Sequence, residues 1–235
     1  MKNIKTLYMK NNLIKGVFQK RENRFIAEVL VEDSIKKVHV ANTGRCRELL
    51  LPGVDVLLKK SDNQKRKTQY SLNYVENKGC WVNLISVSAN EAVYNSLVAG
   101  DIESIKKPYD IKKEYSLPGT RIDFFCKSED LDVYIEVKSV TLIKDDFLQF
   151  PDAPTLRGVK HLEHLIELKK QGHRAIIIFV AQHPLGRMFK ANEENDPIFA
   201  RKLKEAHDGG VEILAYMASK EIGELKLTDS LEIII

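Results

Sequence analysis

A chain of 235 residues, 43% hydrophobic and 30% charged, is long enough for one large domain or two small ones with a full core. No stretch approaches the roughly eighteen apolar residues of a membrane span, and three scattered cysteines (Cys46, Cys80, Cys126) make neither an even disulfide framework nor a C-x-x-C zinc pair. The net charge of +4 hides a split, because residues 1–85 hold 17 Lys and Arg against 8 Asp and Glu, whereas residues 86–235 hold 20 against 25. Such a division suggests two domains with different electrostatic tasks, the basic one suited to a polyanion unless its lysines serve only solubility. The opening Met1–Lys10 lacks a continuous apolar run, so no secretory leader is expected and a cytoplasmic location is.

In chain order, residues 13–88 read as short strands at Leu13–Phe18, Arg24–Val31, Ile35–Val40, Val54–Leu58, Gln69–Val75 and Trp81–Val87, punctuated by Gly16, Asn23, Gly44, Pro52-Gly53 and Gly79. Strands of this length and spacing predict a small all-β barrel, and a five-stranded OB-fold fits. Arg45–Leu51 reads as one helical turn between strands. Asn90–Ile105 reads as a single helix ending before Pro108. The boundary is placed near Ser88, giving an OB-like nucleic-acid-binding domain over 1–88 and an α/β domain over 89–235.

Strands follow at Ile111–Leu117, Arg121–Cys126 and Asp132–Val140, the last two joined by a polar turn as a hairpin. A loop is expected over Lys144–Pro154. Thr155–Gln171 reads as a helix capped by Thr155 and ended by Gly172, its buried stripe supplied by Val159, Leu162 and Ile166. The Ala-Ile-Ile-Ile-Phe-Val run within Arg174–Gln182 predicts a central strand buried on both faces. A helix over Pro197–His207 and a strand over Val211–Ala215 complete an α/β pattern. Leu231–Ile235 reads as a strand that either closes a sheet edge or pairs between the subunits of a homodimer.

The chemistry concentrates on Asp123 and Glu136-Val137-Lys138. Side chains alternate faces along a strand, so Glu136 and Lys138 share one side while Val133, Ile135 and Val137 take the other. A neighbouring strand carrying Asp123 then brings two carboxylates and an ammonium to one point. Two oxygen-donor carboxylates suit Mg2+ or Mn2+, and the lysine can orient a water or neutralise a phosphoryl charge. That is the equipment of a metal-dependent nuclease. A half-exposed strand with a solvated acidic and basic face would carry the same letters, because E-x-K is common.

Further residues extend the pattern: Asn23-Arg24-Phe25, Asn42-Thr43-Gly44-Arg45, Glu48-Leu49, Pro52-Gly53, Trp81-Val82 and Asn90 in the first part. In the second part stand Arg121-Ile122-Asp123-Phe124, Glu136-Val137-Lys138-Ser139-Val140, Phe150-Pro151-Asp152-Ala153, Arg157-Gly158, Lys160-His161-Leu162 and Gly210–Tyr216. In these motifs and their order the chain resembles the sugar fermentation stimulation protein family over essentially its whole length. The resemblance implies an OB-like barrel joined to a restriction-endonuclease-like domain of the PD-(D/E)xK class, a mixed sheet flanked by helices. It also implies DNA binding and a link to regulation of sugar (maltose) metabolism. Nuclease activity does not follow from fold alone.

On that footing Asp123, Glu136 and Lys138 are the expected catalytic residues. Asp123 and Glu136 would ligate Mg2+ or Mn2+, with the Val137 carbonyl as a third donor and Glu114, matched to the family, as a contributor. Asn95 stands where family members often carry a helix glutamate. Asp152 would reach the metal or cap the helix after it. DNA, or RNA, is expected to meet Arg24, Asn42, Thr43, Arg45, Lys59, Lys65 and Arg66 on the barrel and Arg157, Lys160 and His161 on the helix after the hairpin. That helix face is otherwise a solvated basic surface, and His161 with His164 lacks the second ligand pair that zinc needs. Phe25, Tyr70 and Trp81 are stacking candidates, each more often core than platform. Two rival functions remain open: a DNA-binding regulator whose site has lost cleavage, and an enzyme acting on a small phosphorylated metabolite, for which no P-loop or G-x-G-x-x-G appears.

Overall fold

The computed structural model describes residues 12–42, 44–63 and 65–235. Five strands close a barrel: β1 (Leu13–Arg21), β2 (Ile26–Val31), β3 (Ser34–Val40), β4 (Asp55–Lys60) and β5 (Tyr70–Asn77). β1 pairs with both β2 and β4, and β3 pairs in parallel with β5, so the order 1-2-3-5-4 returns on itself without an edge, as in an OB-fold. Alternate residues such as Ala27, Val29, Val38, Val40, Val56 and Leu58 fill the interior. A sixth strand, β6 (Cys80–Asn83), extends β5. Residues 47–49 form a turn closed by the Leu50 amide on the Cys46 carbonyl, in place of a longer helical segment.

Helix α1 (Val87–Ala99) opens the second unit. It stops at Gly100, which takes φ 76°, while the Asp101 amide returns to the Ser96 carbonyl. The single helix expected to run to Ile105 is thus broken six residues early. Ile102 and Ile105 nevertheless stay in the core that α1 covers, and that burial explains why the apolar spacing continued.

The main sheet runs β15 (Leu227–Ser230), β14 (Glu212–Ala218), β12 (Arg174–Ala181), β9 (Leu131–Val140), β8 (Thr120–Ser128), β7 (Tyr109–Leu117). The three central strands are parallel and the flanking pairs antiparallel, so the sheet is mixed. Helix α1 covers one face, while α2 (Leu156–Lys170) and α3 (Pro197–Asp208) cover the other. On β12, Ile176, Ile178 and Val180 enter the first core and Ala175, Ile177 and Phe179 the second, which is the doubly buried strand its sequence predicts.

The expected loop over residues 144–154 contains structure. β10 (Leu142–Lys144) and β11 (Phe147–Phe150) form a hairpin around Asp145 and Asp146, both at positive φ. β11 pairs with β13 (Met188–Ala191), and β13 with β16 (Glu232–Ile234), in a small second sheet. The C-terminal strand therefore pairs within its own chain.

The two units are fastened by polar bonds. The Ser86 amide meets the Ala41 carbonyl, Gly223 N–H reaches the Tyr74 hydroxyl at 3.1 Å, and Asn83 donates to Ser88 at 2.9 Å. Trp81, partly buried, packs beside Leu13, Leu57, Tyr74 and Ile222.

A candidate metal and nucleic-acid cleft

The β8–β9 ladder stops at Phe124 opposite Ile135. Beyond it a side chain replaces the backbone, since Asp123 Oδ2 accepts the Val137 N–H at 2.8 Å. The strands part there and leave room for chemistry. Val133, Ile135 and Val137 enter the core under α1, so Glu136 and Lys138 take the opposite face, toward α2.

On α2, Thr155 caps the first turn by accepting from the Gly158 amide at 3.0 Å. This sets Arg157 and His161, four residues apart, on one face. Glu136 is 3% exposed and its Oε1 meets both the Lys138 ammonium and His161 Nδ1. Lys138 Nζ lies 3.2 Å from the same ring nitrogen, and Arg157 Nε donates to His161 Nε2 at 3.2 Å. Arginine is a donor only, so Nε2 carries the lone pair and Nδ1 the proton that Glu136 accepts. His161, expected on the nucleic-acid face, is also bonded into the carboxylate cluster.

Burial pushes the Glu136 carboxyl up, but the His161 hydrogen bond and the Lys138 charge outweigh it, leaving it below the ordinary value. Asp123 goes the other way. Burial first, and then the neighbouring Glu136 charge, raise it to about 6, against the Val137 amide, Lys138 and a hydrogen bond from Asn90. The pair is thus one ionised and one reluctant carboxylate. Among the described residues, no group of three or more His, Cys, Asp and Glu side chains is gathered into a metal cage.

These residues line a cleft of about 590 Å3 between the barrel and the α/β unit. Asn90 of α1 reaches it, whereas Asn95 does not line it and donates to the Leu225 carbonyl at 2.6 Å. The helix position at the site is therefore Asn90, a residue of the family motifs to which the sequence assigned no role, and not Asn95. Glu114 sits at the rim, more than half exposed, paired with Arg121 at 2.8 Å. Asp152 neither caps α2 nor turns both oxygens to the acids. Its Oδ2 accepts the Cys46 N–H at 3.1 Å across the two units.

The barrel residues divide. Arg24 lines the cleft, and Arg45 lines a groove beside it. Asn42 also borders the cleft, but its amide is committed inward, donating to the Leu84 carbonyl at 3.0 Å and accepting the Gly44 N–H at 2.7 Å. It braces the turn and is not a free phosphate contact. Thr43 lies outside the described residues. Lys59, Lys65 and Arg66 are not among the cleft's lining, and Arg66 donates to the Ser71 hydroxyl at 3.2 Å. Lys160 is exposed and does not line the cleft. Arg21, unremarked in the sequence, donates to the carbonyls of Arg24, Asn42, Gly44 and Arg45 at 2.6–2.9 Å and so holds the loops that face the α/β unit.

Residues 20–84 match the SfsA N-terminal OB domain and residues 87–223 the sugar fermentation stimulation protein RE domain. The chain belongs to the sugar fermentation stimulation protein family. A homologue from Methanobrevibacter smithii is 46% identical over 91% of this chain and 94% of its own length. One from Alkaliphilus oremlandii is 41% identical over 94% of this chain and 96% of its own. The fold matches the solved Pyrococcus furiosus SfsA, described as in complex with Ca2+, with a TM-score of 0.88 at 29% identity, covering 95% of this chain and 96% of that one. The family thus accounts for both units, the OB barrel and the restriction-endonuclease-like domain.

Proposed function

We propose that this family member binds DNA and that its cleft is a divalent-metal site of the PD-(D/E)xK kind, built for phosphodiester hydrolysis. The observation that carries the reading is the convergence of Asp123, Glu136, Lys138, His161 and Arg157 where β8 and β9 part. Mg2+ and Mn2+ fit this donor set, because they take one or two carboxylates and fill the rest with water and substrate phosphate, without a protein cage. Burial and, after it, the Glu136 charge raise Asp123, and a cation between the acids would relieve the repulsive part. The Pyrococcus furiosus relative was solved with Ca2+, an ion that also takes oxygen ligands.

Asp123, Glu136 and the Val137 carbonyl would hold the ion, with Glu114 at the rim. When bound, such an ion lowers the pKa of a water and neutralises charge on the phosphoryl oxygens. The chain's own residues supply the remainder. Lys138 orients the attacking water and offsets charge developing on the phosphate. His161 holds Glu136 in place through Nδ1. Arg157, exposed at the mouth, suits a flanking phosphate. On the barrel, Arg24 and Arg45 position the strand, with RNA as a second possible polymer. Effects on sugar metabolism, which the family name suggests, would follow from that binding.

A silent DNA-binding regulator is the second reading, favoured by one observation: Glu136 is already satisfied by Lys138 and His161. Incubation of single-stranded, double-stranded and branched DNA, and of RNA, with Mg2+ or Mn2+ separates the two. Cleavage should appear with either ion, vanish in chelator, and fall at least about a thousandfold in Glu136→Gln and Lys138→Ala, or about 4 kcal/mol of barrier. Asp123→Asn should also fail to cut while melting no lower than wild type, because the native fold raises this carboxyl and ionisation at neutral pH works against folding. Binding without cleavage of any substrate would sink the nuclease and leave the regulator.

A further inference from the structure

Beside the cleft, on the barrel side, lies a second groove of about 630 Å3. Arg24, Gly44, Ala153 and Pro154 line both, so the two voids meet along that edge. The charges of the two differ sharply. The cleft is lined by five carboxylates, those of Glu91, Glu114, Asp123, Glu136 and Asp152, against four basic side chains. Among the described residues the groove is lined by Arg21, Arg24, Arg45 and Arg47 and by no acid at all. A polyanion leaving the cleft on this side therefore meets a positive track.

The track is pre-formed. Arg21 spends its guanidinium on the carbonyls of Arg24, Asn42, Gly44 and Arg45, fixing the backbone from which Arg24 and Arg45 project. Gly44 cannot carry a side chain there, since a Cβ would stand 2.6 Å from Asp152 Oδ2 and 2.9 Å from Asn42 Oδ1. The barrel loop thereby lies close against the α/β unit, and the Cys46 amide is bonded to Asp152. Arg24, Arg45 and Arg47 are exposed, and guanidinium is well matched to phosphate. Phe25 follows Arg24 in the chain and is 48% exposed; it does not line the groove itself but stands beside a residue that does.

We infer that this arginine groove takes the phosphodiester backbone of a single-stranded extension continuing from the cleft, with Arg45 and Arg47 as its outer phosphate contacts and Phe25 as a stacking face. The inference rests on the DNA-binding reading and adds to it a direction of exit and a strand type. A single strand fits because the groove has two walls from two units, without a helix or ribbon projecting to enter a duplex groove, and arginines beside an aromatic are what unpaired nucleotides use.

The test is fluorescence anisotropy in chelator, with a labelled single-stranded oligonucleotide, the same sequence as blunt duplex, and a tailed duplex, each over a salt series. The proteins are wild type, Arg45→Glu/Arg47→Glu, Phe25→Ala, and Lys170→Glu/Lys204→Glu as a control of equal charge change on α2 and α3. The arginine pair should weaken single-strand and tailed binding at least about tenfold and flatten the salt dependence by about 1.4 for two phosphates lost. Phe25→Ala should weaken single-strand binding and spare the blunt duplex, and the control should follow wild type. If wild type binds and the arginine variant tracks the control, the groove is overturned while DNA binding stands. Equal losses on blunt duplex and single strand would overturn the strand assignment. Absence of wild-type binding at about 50 mM salt would overturn both readings.

Discussion

Arg21 in the barrel and Glu136 in the α/β unit are both charged groups drawn away from water, and they are satisfied in opposite ways. Arg21 gives its two terminal nitrogens to four backbone carbonyls, groups that cannot titrate or leave, while its buried Nε has no partner among the described residues. Glu136 is held by Lys138 and His161, side chains that border an open cleft. A charge paired with backbone is committed to architecture. A charge paired with ionisable side chains can exchange those partners for a cation, a water or a phosphate. The comparison also explains why the two centres lie together: the Arg21 clamp fixes the barrel loop whose Gly44 and Asn42 border the cleft that Glu136 serves.

The largest effect that would break this contrast is on stability. Arg21→Met keeps the length of the side chain and removes its donors, leaving four carbonyls to find water. A loss of about 3 kcal/mol is expected, because breaking charged hydrogen bonds exposes the full cost of the unpaired partners. The urea midpoint reads it directly. If Arg21→Met unfolds at the wild-type midpoint, the clamp is not architectural and the contrast with Glu136 falls.

How much of this was legible in the sequence follows the same division. Alternation along Val133–Lys138 placed Glu136 and Lys138 on one face because period two is a local property of strands, and the apolar run of β12 announced burial on both sides. The family motifs carried the OB barrel and the endonuclease-like unit together. What escaped was set by contacts between distant residues. Asp152 and the Cys46 amide are 106 positions apart, and nothing local marks either as a link. Asn42-Thr43-Gly44-Arg45 reads as a tight turn whose arginine reaches outward, and nothing in it announces that the Asn42 amide faces inward to Leu84. Lys59, Lys65 and Arg66 are expected as barrel phosphate contacts on charge, and charge does not say which side of a barrel a loop occupies; they do not line the cleft. Helix α1 was overrun because its apolar spacing continues past Gly100, into residues buried in the same core without being helical.

A third buried polar group sharpens the comparison at intermediate size. His183 is fully buried where the two units meet, its Nε2 3.1 Å from Asn77 Oδ1 and its Nδ1 accepting the Leu185 amide at 3.3 Å. It resembles Arg21 in being fixed and Glu136 in being able to titrate. Burial, and then the Lys78 charge, depress it to about 4. Below about 6.5 the unfolded chain takes up a proton that the native ring refuses, so stability falls as pH drops from 6.5 toward 4. Between pH 6.5 and 5 the loss should be about 1.5 kcal/mol. His183→Asn should lower stability at pH 7 and flatten that acid slope, as read from urea midpoints at several pH values. An unchanged slope in the variant would show that the proton is taken up elsewhere.

The smallest expected effect separates architecture from chemistry within a single helix. Asn90 and Asn95 are five residues apart on α1, and only the first faces the cleft. Asn95→Ala removes one exposed hydrogen bond to the Leu225 carbonyl, so it should cost about 1 kcal/mol or less in stability. It should leave nucleic-acid binding and any metal-dependent cleavage as in wild type. Asn90→Ala should barely change the melting midpoint but should act on Asp123, whose charged form loses a hydrogen bond that holds its pKa down. Asp123 then needs a higher pH to ionise, so metal-dependent activity should fall more at pH 6 than at pH 8. An Asn90→Ala pH profile parallel to wild type would place Asn90 with Asn95 as a structural residue. It would also confine the chemistry of α1 to covering the sheet, leaving Asp123 to be tuned by Glu136 and its own burial alone.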